Sequence, residues 1–170
     1  MSIQKKLLPV VCAAVFVSLA RAHEFEFSFP LEGSQEVQTP PVMTQATGMA
    51  DVLLDTDTNL LSWDIQFQGI TSGVVLAHFH GPAPAGMNAG IRVDIGAVSG
   101  LASPMIGQAT ITDLQEQDIL DGFWYVNIHS NQFPMGELRG QVVPEPAVLV
   151  LLGVGVGACV VSKVRRHRRR

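Results

Sequence analysis

Cysteine is almost missing from this chain of 170 residues: Cys12 and Cys159 are the two, and both fall in hydrophobic stretches near the ends. No disulfide framework is available to the middle of the chain. Charge is also scarce, at 15% of residues, and basic charge in the interior is nearly absent. Residues 23–143 carry 14 acidic side chains against Arg92 and Arg139, a net −12 with histidine neutral. A domain so acidic repels phosphate backbones, which excludes nucleic acid as its partner. The usual catalytic signatures are missing too. There is no Gly-x-Ser-x-Gly elbow, no phosphate-cradling glycine loop and no internal Cys nucleophile. The carboxylates are scattered, so no pair takes general acid and base roles. With 47% hydrophobic residues and 16 glycines, the composition excludes disorder as the main state. The length suits one ordinary domain.

The remaining nine basic residues lie at the two ends. Residues 1–22 read as a secretory signal peptide, with Lys5 and Lys6 in front, an apolar run from Leu7 to Leu19, and the small-x-small site Ala20-Arg21-Ala22. That reading implies the Sec export machinery and a signal peptidase as partners. Residues 144–170 form a second signal. Pro144-Glu145-Pro146 is followed by 15 uncharged residues, Ala147 to Val161, and then by Arg165, Arg166, Arg168, Arg169 and Arg170. As a helix those 15 residues reach about 22 Å, short of a ~30 Å hydrocarbon core, with Lys163 able to snorkel. The arginines belong on the cytoplasmic side of the inner membrane.

This tail resembles the PEP-CTERM sorting signal of Gram-negative bacteria. The resemblance implies an exosortase as partner, cleavage near Pro144-Glu145-Pro146, and a transient stay in the inner membrane. It also implies export to the cell surface in connection with exopolysaccharide and biofilm. A plain C-terminal membrane anchor is the alternative. The expected organisation is therefore 1–22 signal peptide, 23–143 exported domain and 144–170 sorting segment, in a protein of the cell envelope or extracellular space.

The exported domain reads as all-β. Phe25, Phe27 and Phe29 alternate with Glu24, Glu26 and Ser28 up to Pro30, which is expected to end the strand. Residues 49–55 and 61–68 form a hairpin across Asp55-Thr56-Asp57-Thr58-Asn59, with Leu61, Trp63, Ile65 and Phe67 on one face. Further strands are expected at 74–80, 91–95, 104–111, 123–129 and 137–143, with a Gly/Pro/Ala loop from Gly81 to Gly90. One short helix follows a cap at Thr112 or Asp113, with Leu114, Ile119 and Leu120 as its apolar face. About eight short strands with Gly/Pro turns point to a Greek-key sandwich or barrel, superoxide-dismutase-like or Ig-like.

Three histidines stand out. His78 and His80 are two apart on one strand and share a face, while Val75, Ala77 and Phe79 take the core side. His129 ends another strand, on the face of Tyr125 and Asn127 and away from Trp124, Val126 and Ile128. If the two strands are neighbours, the three imidazoles converge. Such a set suits copper or zinc, with room for an open position. The alternative is ordinary histidines at the surface or bonded to the Gly81-Pro82 turn. His23 becomes the N-terminus after cleavage at Ala22, where amine and ring together chelate copper given a second histidine nearby. Glu137 and Arg139 share a face of the last strand, and Arg139 is expected to pair with carboxylates as a structural group.

The middle of the chain resembles the CHRD domain, named after chordin. The resemblance rests on Leu31-Glu32-Gly33-Ser34-Gln35-Glu36-Val37, Ala46-Thr47-Gly48, Ala77-His78-Phe79-His80-Gly81-Pro82-Ala83, Tyr125-Val126-Asn127-Ile128-His129 and residues 133–141. It implies a β fold and an exported location. The two export signals and the missing catalytic set point to a non-enzymatic domain that binds or builds structure, with an exopolysaccharide or surface protein as partner. The His-x-His strand is also similar to copper–zinc superoxide dismutase. The chain departs from that enzyme in its ligand count, its missing disulfide and its acidic surface, which repels superoxide; no dismutase activity is expected. Copper or zinc binding at His78, His80 and His129, with a possible oxidoreductase role, is the competing reading.

Overall fold

The computed structural model describes residues 23–143; the signal peptide expected at 1–22 and the sorting segment expected at 144–170 lie outside the described residues. The strands are β1 (Glu24–Glu32), β2 (Thr47–Asp55), β3 (Leu60–Gln68), β4 (Val74–His80), β5 (Ile91–Asp94), β6 (Met105–Thr110), β7 (Tyr125–Ser130) and β8 (Leu138–Gln141). Two α-helices interrupt them, α1 (Ile95–Ser99) and α2 (Asp113–Leu120), and Gly33–Gln35 forms one turn of 3-10 helix after β1. All strand pairs are antiparallel, in the order β5-β4-β7-β8-β1-β2-β3-β6. β1 and β8 meet at a single register pair, Glu32 with Arg139. The sheet therefore folds as two four-stranded halves joined at one corner, and α1, packed on β4 and β6, bridges the opposite side. The result is the expected all-β barrel or sandwich, nearly closed. Among the described residues no helix is long and apolar enough to cross a membrane.

The core lies between the halves. Phe27, Phe29, Leu31, Leu61, Trp63 and Ile65 meet Ala77, Phe79, Trp124, Val126, Ile128 and Leu138 there. Phe79 is central: its ring stands edge-on to Trp63 at 5.4 Å and tilts against Trp124 at 6.0 Å. Burying a phenylalanine in full stabilises by roughly 1.5–3 kcal/mol. The β2–β3 hairpin turns at Asn59, which takes φ 56; asparagine tolerates that left-handed conformation better than most residues.

Four expectations are corrected. Pro30 does not end β1; it pairs with Met49 inside the strand. β8 registers with β1 only at Glu32, so the side of β1 toward β8 demands few ladder donors and accepts a proline. Ile95 does not extend β5 but opens α1, because Asp94 caps the turn by accepting from Ala97 N–H at 2.9 Å. Leu114 is exposed rather than apolar-facing; α2, held by a Thr112–Gln115 capping box, buries Ile119 fully and packs Leu120 partly against the core. Phe25 is also largely outside the core.

Candidate functional site

β4, β7 and β8 are expected to be half-buried strands, yet their second face is covered. Every residue of β7 and β8 is buried. Segments 33–46, 69–73, 81–90 and 131–137 lie over that face, and polar side chains fasten them. Glu137, fully buried, accepts hydrogen bonds from the Thr44 and Thr71 hydroxyls at 2.6 Å each and from Thr71 N–H at 3.1 Å. Burial alone raises the pKa of this carboxyl, but the bonds from Ser130, Thr44 and Thr71 outweigh it and hold the group below its ordinary value. Gln141 donates to Ala83 O (2.9 Å) and Gly122 O (2.8 Å). Gln38 donates to Gly136 O (2.8 Å), and Asn88 to Val37 O (2.9 Å).

Arg139 is 1% exposed. It donates to Met87 O (2.7 Å) and Asn88 Oδ1 (2.9 Å), and its guanidinium sits 3.5 Å above the Tyr125 ring. It does not form the carboxylate pair expected of it; among the described residues the one salt bridge is His23–Asp57. A carboxyl does feel its charge: Glu36, pushed up to about 7 by burial and pulled back in part by Arg139. Aromatic stacking and backbone carbonyls replace the carboxylate because β8 faces a loop there, and loops offer carbonyls.

The histidines lie in this same polar layer. β4 and β7 are neighbours, with His78 opposite Asn127, His80 opposite Tyr125 and Leu76 opposite His129. Period-two geometry then puts all three imidazoles on one face, away from Ala77 and Phe79. One ring nitrogen from each lies within 4.8 Å of the other two. His78 Nδ1 and His129 Nε2 are 3.4 Å apart. They are not surface groups: His78 and His129 are 4% and 7% exposed, and His80 is half-buried. His80 stacks on Tyr125 (5.1 Å, 8°), so Tyr125 has an imidazole and a guanidinium packed against its ring. His80 Nδ1 lies 2.9 Å from Ala89 O, and His129 Nδ1 lies 3.0 Å from Pro134 O.

Burial favours the neutral form of all three rings. Burial lowers the pKa of His78 and of His80, with Asp94 opposing the shift at His78 and the Ala89 bond opposing it at His80. His129 falls to about 4, again through burial, against the Pro134 bond. His23 takes no part: its Nδ1 contacts Asp57 Oδ1 at 2.7 Å, and it is not one of the converging group.

Glu36 and Asn127 complete the layer. Glu36 Oε1 and Asn127 Oδ1 are buried without partners, and both crowd the Cα of Gly136, where any Cβ would overlap them. Strand alternation places Asn127 and Tyr125 beside His129. Glu36 sits in a loop, where no periodicity points to it.

Residues 27–142 match the CHRD domain family. No curated protein and no solved structure matches the chain.

Proposed function

Because the chain belongs to the CHRD domain family, we propose that it is an exported protein of a Gram-negative cell envelope whose β domain works by binding rather than by catalysis. Family membership carries the reading, and the two ends support it. Residues 1–22 enter the Sec machinery and are removed by signal peptidase after Ala22. Residues 144–170 hold the chain transiently in the inner membrane, arginines inside, until an exosortase cuts near Pro144-Glu145-Pro146. Residues 23–143 then reach the surface or matrix, where exopolysaccharide or another surface protein is the partner and biofilm the setting. The net −12 of this domain suits a matrix that holds counter-cations and disfavours nucleic acid.

The test compares cells expressing the full chain with cells expressing residues 1–143. Surface labelling should detect the domain in the first and lose it in the second. Mass spectrometry of the mature protein should place its ends at His23 and near Pro144. Equal surface labelling of both chains would reject the sorting reading.

A further inference from the structure

We propose that His78, His80 and His129 form a binding site for one d-block cation, zinc or copper, with three imidazoles as its protein ligands. The inference goes beyond export and stands independently of it. Convergence alone is compatible with three histidines that merely pack. What separates the two cases is where the lone pairs point.

A backbone carbonyl only accepts. The contact of His80 Nδ1 with Ala89 O therefore requires the hydrogen on Nδ1, and that of His129 with Pro134 O requires the same. In a neutral ring the other nitrogen, Nε2, is then a bare lone pair. A second ring nitrogen anchored to a carbonyl is the arrangement that orients histidine for a metal. Here it occurs on two of three converging rings, supplied by the two loops that cover the site.

The packing-only account leaves an atom over. His78 Nδ1–H donating to His129 Nε2 explains the 3.4 Å contact. His80 Nε2 remains buried without a partner, and an unsatisfied buried acceptor is disfavoured. One cation between the rings uses all three lone pairs at once. The His78–His129 spacing of 3.4 Å fits two nitrogens bound at ~2.1 Å in a tetrahedral arrangement, which lie about 3.4 Å apart, and the His80 nitrogen, within 4.8 Å of both, has to draw in on binding. Calcium and magnesium are excluded by the donor set, since they demand oxygen ligands. Neutral imidazoles suit zinc and copper. Because the second contact of each anchored ring comes from residues 81–90 or 131–137, occupancy should also tighten those loops.

The test uses the full chain, purified in detergent without a histidine tag, stripped with chelator and then titrated with zinc and, separately, copper. We expect one ion per chain by elemental analysis. Amide exchange should slow in 81–90 and 131–137, and Tm should rise by roughly 10 °C at ~100-fold excess over Kd. The copper(II) form should show imidazole-nitrogen coupling by electron paramagnetic resonance. His80→Gln and His129→Gln should each weaken binding at least ~100-fold, a step in line with the loss of one of three ligands. The chelator-stripped variants should keep the wild-type circular dichroism, which separates lost ligation from lost folding. If either variant fails to fold, His78→Gln, read the same way, replaces it. A folded chain with no bound ion at tens of micromolar metal would overturn the proposal. So would unchanged binding in the folded variants. Neither result touches the sorting test, which reads location alone.

Discussion

On β1 the residues alternate between core and water, whereas on β7 and β8 all ten are buried. The two halves of the barrel share one core and differ in what lies behind it. Behind β1, β2 and β3 is solvent, met by Glu26, Ser28, Asp51, Ser62 and Asp64. Behind β4, β7 and β8 is a second layer of loops, held by Glu137, Arg139 and Gln141 and enclosing the three histidines. The difference separates two uses of a polar residue on a strand. In the first half it keeps the sheet wet. In the second it is a fastener, and its removal strands a buried partner.

Substitutions at outward positions should therefore have unequal effects in the two halves. The largest is expected at Glu137→Ala, which frees the Thr44 and Thr71 donors under the loops. A loss of about 3 kcal/mol follows from charge-assisted bonds of this kind, read as a lower urea midpoint. Glu26→Ala, outward on β1, should stay within ~0.5 kcal/mol. Equal losses at both positions would erase the contrast.

Gly136→Ala comes next. Gly136 has φ 128, and an added Cβ would overlap Asn127 and Glu36. Strain of this order costs about 2 kcal/mol, and the same measurement checks it.

The pH profile sharpens the comparison further, because burial shifts groups of this layer in opposite senses: His78 and His80 are lowered together with His129, and Glu36 is raised. His129 is lowered to about 4, so its contribution to stability is present above its unfolded pKa near 6.5 and is lost as pH falls from there toward 4. Glu36 is raised to about 7, so its contribution is present below its unfolded pKa and is lost as pH rises from 4.5 through 7. In the metal-free protein the two oppose each other between pH 4.5 and 6.5. Glu36→Gln removes one side. Its stability should rise across that window by about 1–2 kcal/mol after allowance for solvent screening, more steeply than in the wild type. Urea midpoints at pH 4.5, 5.5 and 6.5 decide it, and parallel profiles would refute the assignment.

The smallest effect belongs to the wet half and has the opposite sign. Asp51 and Asp64 are direct cross-strand partners. Ser28 donates to Asp51 at 2.7 Å, and Asp64 Oδ1 has no partner. Asp64→Asn should stabilise by about 0.5 kcal/mol at low salt, with the gain fading as salt is added.

The same contrast explains what could be read from the sequence. Alternation on β4 and β7 places Ala77, Phe79, Trp124, Val126 and Ile128 in the core and His78, His80 and His129 opposite them, and the structure agrees; it fails at Val75, where a register shift between Val74 and Leu76 packs Val74 on the core instead. Alternation says that two faces differ. It does not say that the second is covered, because the cover is loop, and loops carry no period. Charge alone therefore offers Arg139 a carboxylate, whereas its partners are Tyr125 and loop carbonyl and amide oxygens. Glu36 was invisible for the same reason. α1 escaped because a five-residue helix buries one side chain, Ile95, and one residue makes no pattern. Leu114 was misplaced because α2 is too short for its apolar face to be told apart from chance.

The seam between the halves has a consequence in time. Glu32 and Arg139 are 107 positions apart, while β1, β2 and β3 pair with sequence neighbours. Contacts that close long loops form late, and a ribosome delivers β8 after every other strand. The meander of β1 to β3 can assemble before β8 is in place. The layer around the histidines needs Pro134, Glu137 and Arg139, so it is the last part of the domain to come into existence.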